Sequence, residues 1–137
     1  MLVRIFVYGT LKPGECNYLR YCDGKTIYAQ QATAHGQLFH LSLRGYPAMI
    51  AAVGTVRGVV LSFTDPNMLN ILDDLEDYHS NRPLEANEYD RRQIEAFNLA
   101  GESMGLVWAY LMQPHRVSLL GGVLLPEGVW NSKRNFS

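Results

Sequence analysis

Cysteine is scarce in this sequence, and the two present, Cys16 and Cys22, form no C-x-x-C pair and do not lie beside histidine at metal-ligand spacing. A disulfide framework is thereby excluded, and both are read as free thiols. Charge of one sign is lacking as well. With 12 basic and 13 acidic residues the formal net charge is −1, so no global field draws in a polyanion or an acidic membrane. Nucleic acid is not an expected partner, and Arg91-Arg92 and Lys133-Arg134 read as solvated surface pairs. No apolar stretch approaches the ~18 residues of a membrane helix. The start, MLVRIFVYGT, lacks an n-region and a long h-region. It reads as a first strand, no membrane association is expected, and the expected location is cytoplasmic.

What is present is an ordinary globular composition, 47% hydrophobic and 18% charged over 137 residues. That length predicts one domain over 1–137, burying roughly two-thirds of its unfolded surface. Leu2 to Tyr8 is apolar at nearly every position, the pattern of a central strand buried on both faces. Further strands are predicted at Thr26 to Ala34, Gly36 to Leu43, Thr55 to Phe63, Tyr89 to Phe97 and Leu106 to Met112. Gly36 breaks the first two into a hairpin or a bent ribbon, Gly45-Tyr46-Pro47 reads as a turn, and Gly58 marks either a bulge or a close backbone approach.

One helix stands out. Asp65 offers an N-cap, Pro66 fits the first helical position, and Met68, Ile71, Leu72 and Leu75 fall on one face, so the helix is predicted to run to about Tyr78. Val117 to Trp130 is apolar but punctuated by Gly121-Gly122 and Pro126, which predicts irregular structure with one short strand, and the tail 131–137 is expected to fray. Together these elements give an α+β class, a small, mostly β, barrel-like domain with one main helix. The residues assign no oligomeric state.

Two segments carry chemistry. Tyr8-Gly9-Thr10-Leu11 joins the first strand to Lys12-Pro13-Gly14, and its N–H groups can converge on an anion. Gly9 and Gly14 have phosphate-loop spacing, but Glu15 and Cys16 follow where Lys and Ser/Thr are needed, so phosphate is rejected. A cradle for a small carboxylate or oxyanion remains, beside the alternative of plain turn residues. The helix ends in Leu72-Asp73-Asp74-Leu75-Glu76-Asp77-Tyr78, acidic where the helix dipole disfavours negative charge. Glu76 can flank the buried stripe, with Asp74 and Asp77 toward water. Desolvation, with Asp73 nearby, would raise its pKa toward that of a general acid/base. The alternative is a solvated acidic helix end.

In order along the chain, VYGTLKPG, GYPAM, GTVRGVVLSF, LDDLEDY and Tyr89-Asp90-Arg91 resemble the γ-glutamylcyclotransferase-like family, in particular its γ-glutamylamine cyclotransferase, AIG2-like branch. The resemblance implies a small barrel-like fold and a catalytic glutamate in an L-D-x-x-E pattern, which falls on Glu76. It also implies that Tyr8, Gly9, Thr10 and Leu11 bind the γ-glutamyl moiety. The implied reaction is attack of a substrate's own α-amine on its γ-carbonyl, giving 5-oxoproline and a free amine. It needs no Ser or Cys nucleophile, and no cofactor or metal is expected. Trp108 and Tyr110 share a strand face, and Tyr110 is a further candidate for substrate contact. His35, His40, His79 and His115 read as surface or structural, and Cys16 as a small packing residue. The alternative function is a non-catalytic module on the same fold that binds a small carboxylate. A nucleotide hydrolase with the acidic cluster as a Mg²⁺ site ranks third.

Overall fold

A computed structural model describes residues 2–133. The elements are β1 (Val3–Val7), α1 (Cys16–Tyr21), β2 (Tyr28–Leu41), β3 (Tyr46–Phe63), α2 (Met68–Leu75), β4 (Asp90–Phe97), β5 (Ser103–Leu111), α3 (Pro114–Leu119) and β6 (Gly122–Leu124). The strand order β3-β1-β5-β4-β2 closes on itself because β2 also pairs with β3. The result is a closed five-stranded barrel with one main helix, which bears out the barrel-like α+β class expected from the sequence. The β1–β5 seam is parallel and the other pairings are antiparallel. β6 adds to the end of β2 at Phe39–Leu41.

Strand alternation sorts the core into two layers. Phe6, Ala34, Val60, Ala96 and Val107, drawn from all five strands, fill the lumen together with Leu125 and Trp130. Ile5, Val7, Leu61 and Phe63 face outward and pack under Met68 and Leu72 of α2 and Val117 of α3. Apart from Arg4, whose guanidinium bonds the Met104 and Leu106 carbonyls, both faces of β1 are therefore apolar because both are covered. Burying one such side chain, Phe6 for example at 1% exposure, stabilises the fold by about 1.5–3 kcal/mol. The lumen narrows at Gly58, where a Cβ would lie 2.3 Å from the Val7 carbonyl oxygen. Gly58 pairs in regular register with Ala32, so of its two readings the close approach is the one observed.

Several boundaries differ from the sequence reading. β2 and β3 form one long bent ribbon. The register skips between His35 and Gln37, so residues 51–54 stand opposite Gly36 alone. Gly36 therefore bends a strand rather than ending one. Tyr46-Pro47 opens β3 instead of turning, since Leu41 closes the turn by accepting the N–H groups of Arg44 and Gly45 at 3.0 and 2.8 Å. α2 starts at Met68, because Asp65 first accepts the Asn67 N–H at 2.9 Å in an Asx-turn. Two six-residue helices, α1 and α3, went unread, being too short to show a period.

The segment after Met112 is more ordered than predicted. Pro114 opens α3, Leu125 bonds the Leu38 carbonyl at 2.8 Å, and Trp130 is buried with its indole N–H donating to His40 Nδ1 at 3.0 Å. The predicted frayed tail begins at 131, yet the Ser132 N–H donates to Glu15 Oε2 at 3.3 Å; residues 134–137 lie outside the described ones. Of the two cysteines it is Cys22 that packs, whereas Cys16 is exposed. Among the described residues, no helix is long and apolar enough to cross a membrane.

Candidate active site

Because β1 and β5 run parallel, both strands end at the same rim of the barrel. Tyr8 and Tyr110 meet there, the Tyr8 hydroxyl donating to the Tyr110 carbonyl at 2.6 Å. The chain must leave β1 closely packed. A Cβ on Gly9 would lie 2.6 Å from Pro47 Cγ, so only glycine lets this loop pass. The Thr10 carbonyl then accepts the N–H groups of Asn17 and Tyr18 at 3.0 and 3.1 Å, and Asn17 Nδ2 donates to Thr10 Oγ1 at 2.9 Å. α1 thus holds the loop in place. Among the described residues, none accepts a hydrogen bond from the N–H of Gly9, Thr10 or Leu11.

The other wall is the end of α2. The helix stops at Leu75 rather than near Tyr78 because Asp77 takes a left-handed conformation, φ 54°. Tyr78 N–H then bonds the Asp73 carbonyl at 2.9 Å and Asp77 N–H that of Asp74 at 3.3 Å, a Schellman closure with Asp where Gly is usual. Arg82 holds the irregular residue, bonding both the Asp77 carbonyl and its Oδ1 at 2.8 and 3.0 Å. This reversal leaves Glu76 at the cap position and turned inward.

The four acidic residues at this unfavourable helix end meet four different fates. Asp74 is exposed and Asp77 pairs with Arg82. Asp73 accepts from Arg91 at 2.9 and 3.2 Å and from the Tyr110 hydroxyl at 2.8 Å. Arg91 is itself sandwiched, its guanidinium 5.3 Å from the Tyr78 ring and 4.6 Å from that of Trp108. Trp108 therefore serves the clamp, and does not line the site with Tyr110. Burial raises the pKa of Asp73, opposed by Tyr110 and Arg91.

Glu76 has no such partner. Among the described residues nothing hydrogen-bonds its carboxylate, and the residue, half-buried, keeps part of its surface. Burial, and secondarily the charge of Glu88, push its pKa up from 4.5 to about 8. The second carboxylate is thus Glu88, not the Asp73 expected from the sequence.

A cavity of about 130 Å³ joins the two walls. Tyr8, Gly9, Thr10, Leu11, Glu76 and Tyr110 all line it, so every candidate site residue reaches one space. Asn17, Tyr46, Pro47, Glu88 and Tyr89 line it too and were not singled out from the sequence. GYPAM and Tyr89 were visible only as pieces of motif, and no local pattern marks Glu88. The lining tyrosines are committed as donors: Tyr46 to Glu88 Oε1, Tyr89 to the Pro47 carbonyl at 2.7 Å, and Tyr110 to Asp73. Burial raises the pKa of each, as it does for Tyr8, so all four stay neutral phenols. Glu76 is left as the unpartnered carboxylate. Among the described residues, no three His, Cys, Asp or Glu side chains converge to hold a metal ion. His40 is buried against Trp130, while His35, His79 and His115 are exposed.

Residues 5–132 match the family model described as gamma-glutamyl cyclotransferase, AIG2-like. The chain belongs to this family. A gamma-L-glutamyl-butirosin B gamma-glutamyl cyclotransferase from Niallia circulans is 28% identical over 106 residues, 77% of this chain and 65% of that protein. The match thus spans just under two thirds of that relative's length. An AIG2-like protein from Mus musculus shares the fold with a TM-score of 0.71 at 22% identity, covering 97% of this chain and 90% of the mouse one. YkqA from Bacillus subtilis superposes with a TM-score of 0.66 at 21% identity, over 95% of this chain and 40% of its own.

Proposed function

We propose that this chain is a γ-glutamyl cyclotransferase that converts a γ-glutamyl amine or amino acid into 5-oxoproline and a free amine. The observation that carries the reading is that Glu76, whose carboxylate has no hydrogen-bond partner among the described residues, lines the same cavity as Gly9, Thr10 and Leu11, whose N–H groups have no acceptor among them either. Membership of the family supports it.

The chemistry follows from those two features. A γ-glutamyl donor brings its own nucleophile, an α-amine that must lose a proton. A carboxyl whose pKa is raised to about 8 is a far better acceptor for an α-ammonium's proton than an ordinary carboxylate near ~4.3, so the proton moves at a smaller penalty. The freed nitrogen attacks the γ-carbonyl carbon, and the loop N–H groups stabilise the oxyanion. Collapse breaks the bond to the departing nitrogen as Glu76 returns the proton to it, and the second proton shed by the ring nitrogen leaves with the amine as its ammonium, so nothing is consumed besides the donor. The closed wall of Tyr8, Leu11 and Tyr110 holds the glutamyl chain folded for attack, the orientation that makes an intramolecular step fast.

Purified protein offered γ-glutamyl amino acids, γ-glutamyl-ε-lysine and glutathione is expected to release 5-oxoproline, and Glu76→Gln to stop release while its circular dichroism stays native. Saturable binding of the same donors with no product from any of them would sink the catalytic reading in favour of a small-carboxylate binding module.

A further inference from the structure

The cavity has a floor and a mouth. Tyr8, Gly9, Leu11, Tyr89 and Tyr110 are buried, whereas Thr10, Asn17, Tyr46, Leu75 and Glu88 keep part of their surface. At about 130 Å³ the space is well below the roughly 300–1,000 Å³ of sites that engulf a whole drug-sized ligand. It encloses one end of a substrate and leaves the rest at the mouth. On the cyclotransferase reading, on which this inference rests, the enclosed end is the glutamyl group and the departing amine lies outermost.

Charge at that mouth is one-sided. The charged side chains among the lining residues are Glu76 and Glu88, and no Lys, Arg or His is among them. Glu88 is fixed from two directions: its N–H bonds the Asp77 carbonyl at 3.2 Å, and its Oε1 accepts from the Tyr46 hydroxyl. Its Oε2 receives no hydrogen bond among the described residues. The cation felt by Tyr46 is Arg44, which is exposed and lies outside the lining. A carboxylate on the departing amine would meet like charge in a partly dry mouth, while an ammonium there would find an anchored partner. Attraction and repulsion then act in the same direction.

We propose that Glu88 is a specificity-determining residue that favours γ-glutamyl donors whose departing amine carries a second, cationic group over donors whose departing amine carries a carboxylate.

Three γ-glutamyl amides of equal chain length test this, made with diaminobutane, butylamine and aminobutyric acid, so that only the terminal charge changes. The measurement is kcat/KM for 5-oxoproline release by the whole chain. The expected order is diaminobutane, then butylamine, then aminobutyrate, with about tenfold between the extremes, as for partly exposed charge pairs. Glu88→Gln should lower the diaminobutane-to-aminobutyrate ratio to near one, and Glu88→Asp should keep most of it. Using a ratio cancels any general effect of Glu88 on Glu76. Should Glu88→Gln fail to fold, added salt must still compress the wild-type ratio, because Glu88 keeps part of its surface and is open to screening. An inverted order, or a ratio untouched by Glu88→Gln or by salt, overturns the proposal. Failure of the underlying reading looks different. If no amide is turned over but calorimetry shows tighter binding of the diaminobutane amide, the Glu88 subsite stands and the catalytic reading falls. Equal binding of all three sinks the subsite.

Discussion

Of the four carboxylates at the end of α2, two that lie three residues apart are treated in opposite ways. Asp73 faces the barrel wall and is saturated by Arg91 and Tyr110. Glu76 faces the cavity and, among the described residues, has no hydrogen-bond partner. What separates them is environment, since helix position and residue chemistry are nearly alike. A saturated carboxylate fixes geometry, whereas one left desolvated and unpaired holds a proton it can exchange near neutral pH.

The sharpest way to break this contrast is to remove each member in turn. Glu76→Gln should lower kcat by about 10²–10⁴-fold, the range for loss of a general acid/base. Wild-type kcat/KM should rise with pH toward a limb near 8, the value to which Glu76 is raised. A flat profile through that range would mean another group moves the proton. The same carboxyl has a signature in stability. In the window between 4.5 and about 8 the folded state holds a proton that the unfolded chain has released. Stability is therefore full below the lower value and is lost as pH rises through the upper one. Wild type should lose on the order of a few kcal/mol relative to Glu76→Gln between acid and mildly alkaline pH, measured by urea denaturation at several pH values. Parallel curves for the two proteins would place Glu76 in solvent.

Smaller effects test the supporting pieces. Gly9→Ala puts a methyl 2.6 Å from Pro47 Cγ and must shift the loop, so activity should fall about 10²-fold, as for small misplacements of reacting groups, with modest loss of Tm. Arg91→Ala strips Asp73 of the guanidinium nitrogen that reaches both its oxygens and should cost about 1–3 kcal/mol of stability. Its effect on activity should appear in kcat more than in KM, because Arg91 is not among the cavity's lining residues and acts only by holding Asp73. If Arg91→Ala were as inactive as Glu76→Gln while fully stable, Arg91 would have to act on the substrate itself.

The strands and the helix were legible because their signals are local. Apart from Arg4, both faces of β1 are apolar, and Met68, Leu72 and Leu75 repeat at helical spacing. Some slips were local, as where Leu41 closes the turn before Tyr46 and Asp77 ends α2 early; elsewhere contacts from far along the chain decided. Tyr46-Pro47 looks like a turn until Tyr89, over forty residues on, bonds the Pro47 carbonyl. Residues after Pro114 look irregular until Trp130 reaches His40. The loop at Gly9 and the glutamate at 76 could each be named from the sequence, but whether they share a space could not, since nothing in a local pattern encodes the parallel seam that brings Tyr8 beside Tyr110.

The sequence by itself determined most of the strands, the main helix, a barrel-like β-rich class and two short segments able to do chemistry, because propensity, periodicity and turn residues act over a few positions. Tertiary structure alone decided which carboxylate is unpaired, that Glu88 rather than Asp73 stands against Glu76, and that four tyrosines are committed elsewhere. Those facts depend on desolvation and on partners distant in the chain, and burial is a property of the packed whole.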